Sequence, residues 1–419
     1  MFRKKKMQQV ERIPVDTIFI IGNGFDMWQG LRSSYSEFQK YYLEHREKIL
    51  RKLHIKKHIF VDSDGENIEC SDVELIYGDP FQPDELDNEF WNTFEASLDN
   101  LDAERLNLFF GKEKSGLKEM EKSIKNARRI LSEAFCSWIA TMNVDEKDSG
   151  YSFGENCVFI NFNYTDTLIK RFGVNELKEY HIHGEATDKK SIIFGHSKHP
   201  QEPEYALARL GGRFLGLFFV DKILYETDKH CQDNIQTLCM FLAMNAVMSE
   251  EIKDVYVLGH SMGPADLEYF DFLVRSTQVV REQNECECEE DVSADLDELH
   301  NRLQYVIQKV GYGAEEIDDE YEGAVSRKFR QEQNARNDFF EKTFMKMLGK
   351  KAGKINSVEA NPRTQDAKWH ISYYSEKDKQ WAEIVMKELG CDNYELYSSI
   401  DDCLKLFKNT LGSDPMKYQ

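Results

Sequence analysis

The sequence lacks several features that would assign the protein to a special class. Its 419 residues include only 8 prolines and 24 glycines, too few for a collagen-like or low-complexity chain. The nine cysteines are odd in number and form no CxxC pair, which is typical of a reducing compartment. The longest apolar run, FLGLFFV, has seven residues. A membrane span needs roughly 20, so none is expected.

Positive charge is also in short supply. Lys and Arg number 54 against 75 Asp and Glu, which gives a net charge of −21. Because nucleic acid is a polyanion, this balance disfavours nucleic-acid binding. The basic start MFRKKKMQQVER is followed by no apolar stretch, so no secretory signal is expected. We therefore expect a cytoplasmic protein that does not bind a membrane.

The pattern that is present alternates strands with helices. The apolar runs DTIFIIGNGFD, CVFINFN and DVYVLGH each end at glycine or asparagine, and KEYHIHG and WHISYYS are two further predicted strands. Helical spacing is clear in SEFQKYYLEHREKILRKL, DNEFWNTFEASLDNL and MEKSIKNARRILSEAFCSWIATM. The alternation predicts an α/β protein with a doubly wound, mostly parallel sheet. Such sheets bind their ligands at the carboxyl ends of the strands.

Changes in pattern divide the chain into five predicted segments. The first strand and its glycine loop occupy 13–35, and a large helical insertion is predicted over 36–150. The α/β core continues over 151–280 and ends with helices and the last strand over 326–419. Between them, 281–325 is strongly acidic, so we expect a flexible, solvated insertion there.

Four of the predicted strand ends carry polar or glycine residues. They are Gly22-Asn23-Gly24-Phe25-Asp26, Asn163-Tyr164-Thr165-Asp166, His181-Ile182-His183-Gly184 and Gly259-His260-Ser261. In a parallel sheet all four converge on one edge. The glycine pair in the first segment would let the backbone approach a phosphate, although an ordinary strand-to-helix turn has the same pattern.

The two histidines of HIHG are predicted to lie on one face of their strand. A metal site is disfavoured because no carboxylate or cysteine stands at a helpful spacing. The common role of His181 would be that of a hydrogen-bonded core residue. Imidazole titrates near neutral pH, so His183, at the crevice, suits proton transfer. Asn163 could orient a water or a hydroxyl beside it.

These segments together resemble a known family. IIGNGFDMWQGLRSSYSEF, NFNYTDTLIKRF, HIHG with IIFGH, and YVLGHSMGPADLEYF are similar to the bacteriophage abortive infection protein AbiH family. The resemblance implies an anti-phage protein that acts by abortive infection. The family in turn looks like a distant member of the sirtuin-like NAD-binding group, which implies a Rossmann-like sheet and NAD+ as substrate, with no metal.

The resemblance also implies a role for each site residue. The phosphate loop would be Gly22, Asn23, Gly24, Phe25 and Asp26, and the adenosine pocket would be lined by Gly259, His260 and Ser261. Asn163 would orient the ribose and a water, and His183 would be the catalytic base. The expected ligand is NAD+ or a related nucleotide, and the expected partner is a phage-derived trigger; a homo-oligomer is left open.

The sequence departs from sirtuins at positions that matter for chemistry. Phe162 stands where sirtuins have glutamine, Thr165 replaces their aspartate, and no four-cysteine zinc module is present. These departures argue against lysine deacetylation. Hydrolysis of NAD+ at the nicotinamide N-glycosidic bond needs only water as acceptor, so the resemblance favours an NAD+ glycohydrolase that depletes cellular NAD+.

Other functions stay open at this point. Gly259-His260-Ser261-Met262-Gly263 fits the GxSxG pattern of a serine hydrolase, with Ser261 as nucleophile and Asp366 and His370 downstream. No HGGG-type oxyanion segment precedes it. Short basic clusters at 3–6, 48–57 and 327–330 would suit a nucleic-acid or partner-binding sensor, although such clusters are usually solvated. A nucleotide-binding module without catalysis would carry the same residues as an enzyme.

Overall fold

The computed structural model describes most of the chain around a central sheet. The described residues are 15–61, 67–78, 101, 103–111, 116–142, 144, 151–193, 212–226, 229, 231–245, 247, 251–277 and 366–410. The predicted acidic insertion 281–325 and the predicted helix DNEFWNTFEASLDNL lie outside them. The segment boundaries predicted from the sequence stay a prediction.

The central sheet has six strands, all parallel. In chain order they are β1 (Thr17–Ile21), β4 (Cys157–Asn161), β5 (Glu179–His181), β6 (Asp254–Leu258), β7 (Lys368–Ser372) and β8 (Tyr394–Tyr397). Their spatial order is β5-β4-β1-β6-β7-β8. Strand β1 pairs with β4 on one side and β6 on the other, so that Thr17 lies opposite Cys157 and Asp254. The parallel α/β class predicted from the sequence is confirmed, and the order is compatible with a Rossmann-like fold.

The order of the strands reverses direction at β1. From β1 the chain moves outward through β4 to β5, and it then returns to the other side of β1 to add β6, β7 and β8. The carboxyl ends of β1 and β6 therefore flank the crevice that such a reversal creates. Ligands of open α/β sheets bind at that place.

Helices cover both faces of the sheet because successive strand side chains point to opposite faces. On one face, Ile18 and Ile20 belong to a cluster with helices α8 (Cys231–Met244), α9 (Leu267–Thr277) and α10 (Glu376–Glu388). On the other face, Phe19 and Ile21 pack with α1 (Asn23–Trp28), α6 (Thr167–Phe172) and α11 (Ile400–Thr410).

A third hydrophobic cluster is built almost entirely from helices. It joins α2 (Tyr35–Leu53), α3 (Asp72–Tyr77), α4 (Ala103–Phe110), α5 (Gly116–Ile139) and α7 (Gly212–Glu226). The predicted helices SEFQKYYLEHREKILRKL and MEKSIKNARRILSEAFCSWIATM correspond to α2 and α5. The run FLGLFFV lies in α7, where Phe218 and Phe219 are buried in this cluster. No helix of the described residues is long and apolar enough to cross a membrane.

Two parts of the fold differ from the sequence prediction. The predicted strand WHISYYS is β7, and one more strand, β8, follows it at the edge of the sheet. The sequence did not reveal β8 because it has only four residues, none of them fully buried. A two-stranded antiparallel hairpin, β2 (His58–Val61) with β3 (Asn67–Cys70), lies within the segment predicted as helical.

All seven cysteines of the described residues are buried thiols. They are distributed over the protein: Cys70 and Cys136 lie in the helical cluster, and Cys157 and Cys403 lie on one face of the sheet. Burial raises the pKa of the thiols of Cys70 and Cys157 to about 12, so both stay protonated at neutral pH.

Candidate functional site

The four polar strand ends predicted from the sequence meet at one edge of the sheet. They line a single cavity of about 540 Å³ at the carboxyl ends of β1, β4 and β6. This volume lies within the range of roughly 300–1,000 Å³ that is usual for small-molecule sites. The predicted residues that line it are Gly22, Asn23, Gly24, Asp26, Asn163, His183, Gly259, His260 and Ser261. Of the predicted set, Phe25 is instead buried in the core beneath the loop.

The cavity has further walls that the sequence did not indicate. Helix α5 contributes Phe135 and Trp138, and the ends of β7 and β8 contribute Ser372 and Ser399 among others. An apolar run that ends in polar residues predicts the end of a strand. A cavity wall supplied by a distant helix leaves no such pattern in the sequence.

The glycines of the β1 loop allow it to pack directly against the β6 loop. A Cβ on Gly22 would lie 2.5 Å from Cα of His260, and one on Gly24 would lie 2.9 Å from Cα of Gly259. Gly259 has φ +65, and a Cβ there would lie 2.3 Å from the backbone nitrogen of Phe25. The two loops are therefore in backbone contact, which only glycine permits.

The same contact engages the amide groups of the glycine loop. The Gly22 amide donates to the Leu258 carbonyl at 3.0 Å, and the Gly24 amide donates to the Gly259 carbonyl at 2.8 Å. The Asn23 amide, at the start of α1, has no acceptor among the described residues. The predicted phosphate role of this loop stays a prediction. Of the amides of Gly22, Asn23 and Gly24, that of Asn23 is available to a ligand.

Two side-chain hydrogen bonds join the β1 loop to the β4 loop. Nδ2 of Asn163 donates to the Gly22 carbonyl at 2.9 Å, and the Thr165 hydroxyl donates to Oδ2 of Asp26 at 2.7 Å. Both Asn163 and Asp26 are at most 5% exposed. The hydrogen bonds of Asn163 with the described residues use its amide nitrogen, Nδ2 and carbonyl oxygen and leave its Oδ1 open. Oδ1 of Asp26 is buried and has no partner among the described residues.

Asp26 is a buried carboxyl group with an altered proton affinity. Burial raises the pKa of Asp26 to about 6, against the lowering effects of the Thr165 and Thr167 hydroxyls and of His181 and Arg171. One of its oxygens is satisfied and the other is not. Such a group either keeps a proton or takes a donor from outside the chain.

His181 is a hydrogen-bonded residue between β4 and β5. Its Nδ1 lies 2.8 Å from the Asn163 carbonyl oxygen, and its Nε2 lies 3.2 Å from Oε1 of Glu179. Both ring nitrogens thus face acceptors, which favours the protonated ring. Although burial lowers the pKa of His181, the Glu179 carboxylate and the Asn163 carbonyl outweigh it, and the pKa is raised. His181 therefore orients the backbone at Asn163.

His183 lies two residues beyond the end of β5 and faces a carboxylate. Its Nε2 is 3.2 Å from Oδ1 of Asp266, although the alignment is too poor for a straight hydrogen bond. Catalytic hydrogen bonds are often loose before a ligand binds. The ring is 4% exposed and meets Phe162 edge to face. Asp266 follows the β6 loop in a short 3-10 turn, Pro264–Asp266.

Asp266 is the centre of a buried charge cluster. Nζ of Lys229, a side chain with no exposed surface, lies 3.2 Å from its Oδ1. Burial by itself would raise the pKa of Asp266, but Lys229, His183 and His260 hold that pKa well below its usual range. Asp266 is therefore ionised at neutral pH. No sequence pattern predicted this role of Asp266, and none marks Lys229 as a site residue.

His260 is the second histidine on this carboxylate. Its Nδ1 accepts a hydrogen bond from the Met262 amide at 2.8 Å, and its Nε2 lies 3.6 Å from Oδ2 of Asp266. Burial lowers the pKa of His260 to about 4, so the ring is neutral at physiological pH. The Met262 contact then places the ring proton on Nε2, toward Asp266.

The serine-hydrolase arrangement is not assembled. Ser261 is exposed at the cavity, three residues beyond the end of β6. His370 instead lies inside the sheet beside Tyr256, with its Nε2 3.0 Å from Oδ1 of Asp254 at the opposite end of β6. At about 3.3 Å per strand residue, the two side chains are too far apart to share a proton.

The charged residues that line the cavity are acidic. Among the described residues they are Asp26, Asp266 and Asp378, and neither Lys nor Arg is among them. Lys229 lies behind Asp266 and is paired with it. A cationic or neutral ligand group suits this lining better than an anionic one.

The parallel α/β sheet with helices on both faces is compatible with a Rossmann-like fold, and the described residues enclose a cavity at its carboxyl edge. The family model described as bacteriophage abortive infection AbiH matches residues 18–285, which is more than half of the chain. The chain belongs to this family, and its role is in abortive infection as a defence against bacteriophage. No curated protein matches the chain, and no solved structure does.

Proposed function

We propose that this abortive infection protein is a sirtuin-like NAD+ hydrolase that cleaves the nicotinamide N-glycosidic bond in the cavity at the carboxyl edge. The observation that carries the proposal is the buried pair of His183 and ionised Asp266, at 3.2 Å, in the same cavity as Asn163. A histidine oriented by a carboxylate is a common general base.

The reaction requires little of the protein beyond positioning and charge. The bond between C1′ of the ribose and the nicotinamide nitrogen breaks, and its electron pair neutralises the pyridinium as nicotinamide leaves. The remaining ribosyl group carries positive charge, which the acidic lining of the cavity stabilises. A water then adds to C1′ and gives its proton to His183. The products are nicotinamide, ADP-ribose and a proton.

Each side chain has a distinct part in this proposal. His183 takes the proton through Nδ1, since its Nε2 faces Asp266. Asp266 holds the ring and stabilises the imidazolium once it forms, while Lys229 keeps Asp266 ionised. Asn163, fixed by its bond to the Gly22 carbonyl, presents Oδ1 to a water or a ribose hydroxyl.

The first test is nicotinamide release from NAD+ by the purified protein. We expect the His183→Ala variant to lose about 10²- to 10⁴-fold in turnover because it lacks the general base. The matched control is His45→Ala, which removes an imidazole from helix α2. Near-normal turnover by a folded His183→Ala variant would contradict the assigned role.

The second test measures NAD+ in cells that express the wild type, Asn163→Ala or His183→Ala, with and without phage. A fall confined to the wild type supports NAD+ consumption as the effector chemistry. If NAD+ stays constant while wild-type cells still resist phage, the NAD+ hydrolase proposal is rejected and the cavity binds a nucleotide at most.

A further inference from the structure

The floor of the cavity contains a hydrogen-bond acceptor that the proposed reaction does not use. Oδ1 of Asp26 is buried and without a partner among the described residues, while its Oδ2 is held by Thr165. The side chain is 1% exposed and belongs to the cavity lining. A buried carboxylate oxygen without a donor is unfavourable, and native structures satisfy nearly all such atoms.

A second open acceptor lies on the adjoining loop. Nδ2 of Asn163 is committed to the Gly22 carbonyl, so its Oδ1 is turned away from that bond and receives no donor from the described residues. The two hydrogen bonds between these loops hold Asp26 and Asn163 in a fixed relation. Acceptors on two loops that are joined in this way are complementary to a ligand group with two donors, such as the vicinal hydroxyls of a ribose.

The surroundings do not suit a phosphate at this place. The loop amides of Gly22, Gly24 and Phe25 are taken by the backbone carbonyls of Leu258, Gly259 and Gly22. Arg171, whose positive charge acts on Asp26, donates to the backbone carbonyl of Gln29. Phosphate sites are built from free amides, Lys and Arg, and the described lining of this cavity contains neither Lys nor Arg.

We propose that Asp26 is a ligand-binding residue that accepts a hydrogen bond from a sugar hydroxyl, so that the floor of the cavity takes the uncharged ribose and not a phosphate. This inference rests on the proposed function for the identity of the sugar. It replaces the phosphate role predicted for Asp26 with recognition of a hydroxyl.

The experiment measures binding of nicotinamide riboside and its 2′-deoxy and 3′-deoxy analogues by calorimetry. It uses the full chain with His183→Ala, so that turnover does not obscure binding. We expect loss of the recognised hydroxyl to weaken binding about 10- to 100-fold, the usual value of a hydrogen bond to a charged group. Adding Asp26→Asn should weaken the riboside similarly and abolish the discrimination between riboside and deoxy analogue.

The matched control is Asp378→Asn. Asp378 also lines the cavity, but its Oδ2 accepts from the Ser375 amide and hydroxyl at the start of α10. This variant should keep the discrimination. Circular dichroism confirms that each variant is folded before affinities are compared.

Four results would overturn the inference. Equal affinities for riboside and both deoxy analogues, or discrimination that survives Asp26→Asn, would mean that only an ordered water satisfies Oδ1. Displacement of the riboside by inorganic pyrophosphate would place phosphate on the floor. No measurable riboside binding would also reject it.

The outcome is separable from that of the proposed function. Asp26-dependent riboside binding without nicotinamide release from NAD+ by the wild type would support this inference and reject NAD+ hydrolysis. Nicotinamide release with no dependence of binding on Asp26 would do the reverse.

Discussion

Asp26 is a carboxyl group that the folded protein holds at a free-energy cost. Burial raises its pKa from 3.8 to about 6, so the folded state binds a proton more tightly than the unfolded state does. The stability that this tighter proton binding contributes is therefore fully present below pH 3.8 and is lost as the pH rises through about 6. Residues retained at such a cost are common in binding sites.

Replacing Asp26 by Asn should remove this pH dependence. We expect the stability of Asp26→Asn relative to wild type to increase by about 3 kcal/mol between low and neutral pH, at 1.36 kcal/mol per pKa unit. Urea unfolding of both proteins from about pH 4 to pH 7.5 measures the difference. A constant difference across this range would show that Asp26 has an ordinary proton affinity.

His181 has the opposite relation to its surroundings, since its charged form is the favoured one. Its pKa is raised above 6.5, so the stability it contributes is present below that pH and is lost as the pH rises through the folded pKa. His181→Gln should accordingly flatten the decline of wild-type stability on the alkaline side of pH 6.5, as followed by urea unfolding. His45→Gln, which removes an imidazole from helix α2, serves as the comparison.

Single residues differed in how far the sequence predicted them. His183 and Asn163 were found because each follows a recognisable strand, and a parallel sheet brings strand ends together. Lys229 and Asp266 pair across 37 positions of the chain, a relation that depends on how helices α8 and α9 pack. No spacing rule encodes such a contact.

The glycine loop after β1 acts as a packing element. Gly22 has φ −115, which any residue can adopt, so the need for glycine arises from the 2.5 Å approach to His260 and not from backbone strain. The β6 loop is in turn held by the Trp381 indole, which donates to the Met262 carbonyl at 2.9 Å. Neither loop is free to move away from a new side chain.

Gly22→Ala should therefore destabilise the protein by about 1–3 kcal/mol, the usual result of overpacking. Asn23→Ala, in the same loop, removes only a weak contact with the Met27 sulfur and should leave stability nearly unchanged. Thermal unfolding of the two variants gives the comparison. Equal melting temperatures would mean that the loops separate easily.

Elements with a clear pattern were predicted well, whereas the hairpin β2–β3 and the edge strand β8 were not. Strand β5, only three residues long, was predicted because it leads into HIHG. The buried strands β1, β4 and β6 consist almost entirely of apolar residues, and α2 and α5 have long amphipathic patterns. The hairpin β2–β3 and the edge strand β8 are four residues per strand, too short for a period to be seen. Their pairing depends on neighbours supplied by the rest of the fold.

The whole molecule extends beyond the region that defines its family. The family match ends at residue 285, yet β7 and β8 complete the sheet and add a wall to the cavity. Ser372 in β7 donates to the Val257 carbonyl and accepts from the Gly259 amide, so it supports the β6 loop directly. The site is a property of the complete sheet.

The buried cysteines can report how readily each part of the protein opens. A thiol that is protonated and inaccessible reacts with an alkylating reagent only when its surroundings open. We expect Cys70, 8% exposed beside the β2–β3 hairpin, to be labelled first, and Cys157 and Cys403, at most 1% exposed, to be labelled last. Mass spectrometry of peptides after timed labelling gives each rate, and identical rates at all seven sites would mean that the sheet and the helical cluster open as one unit.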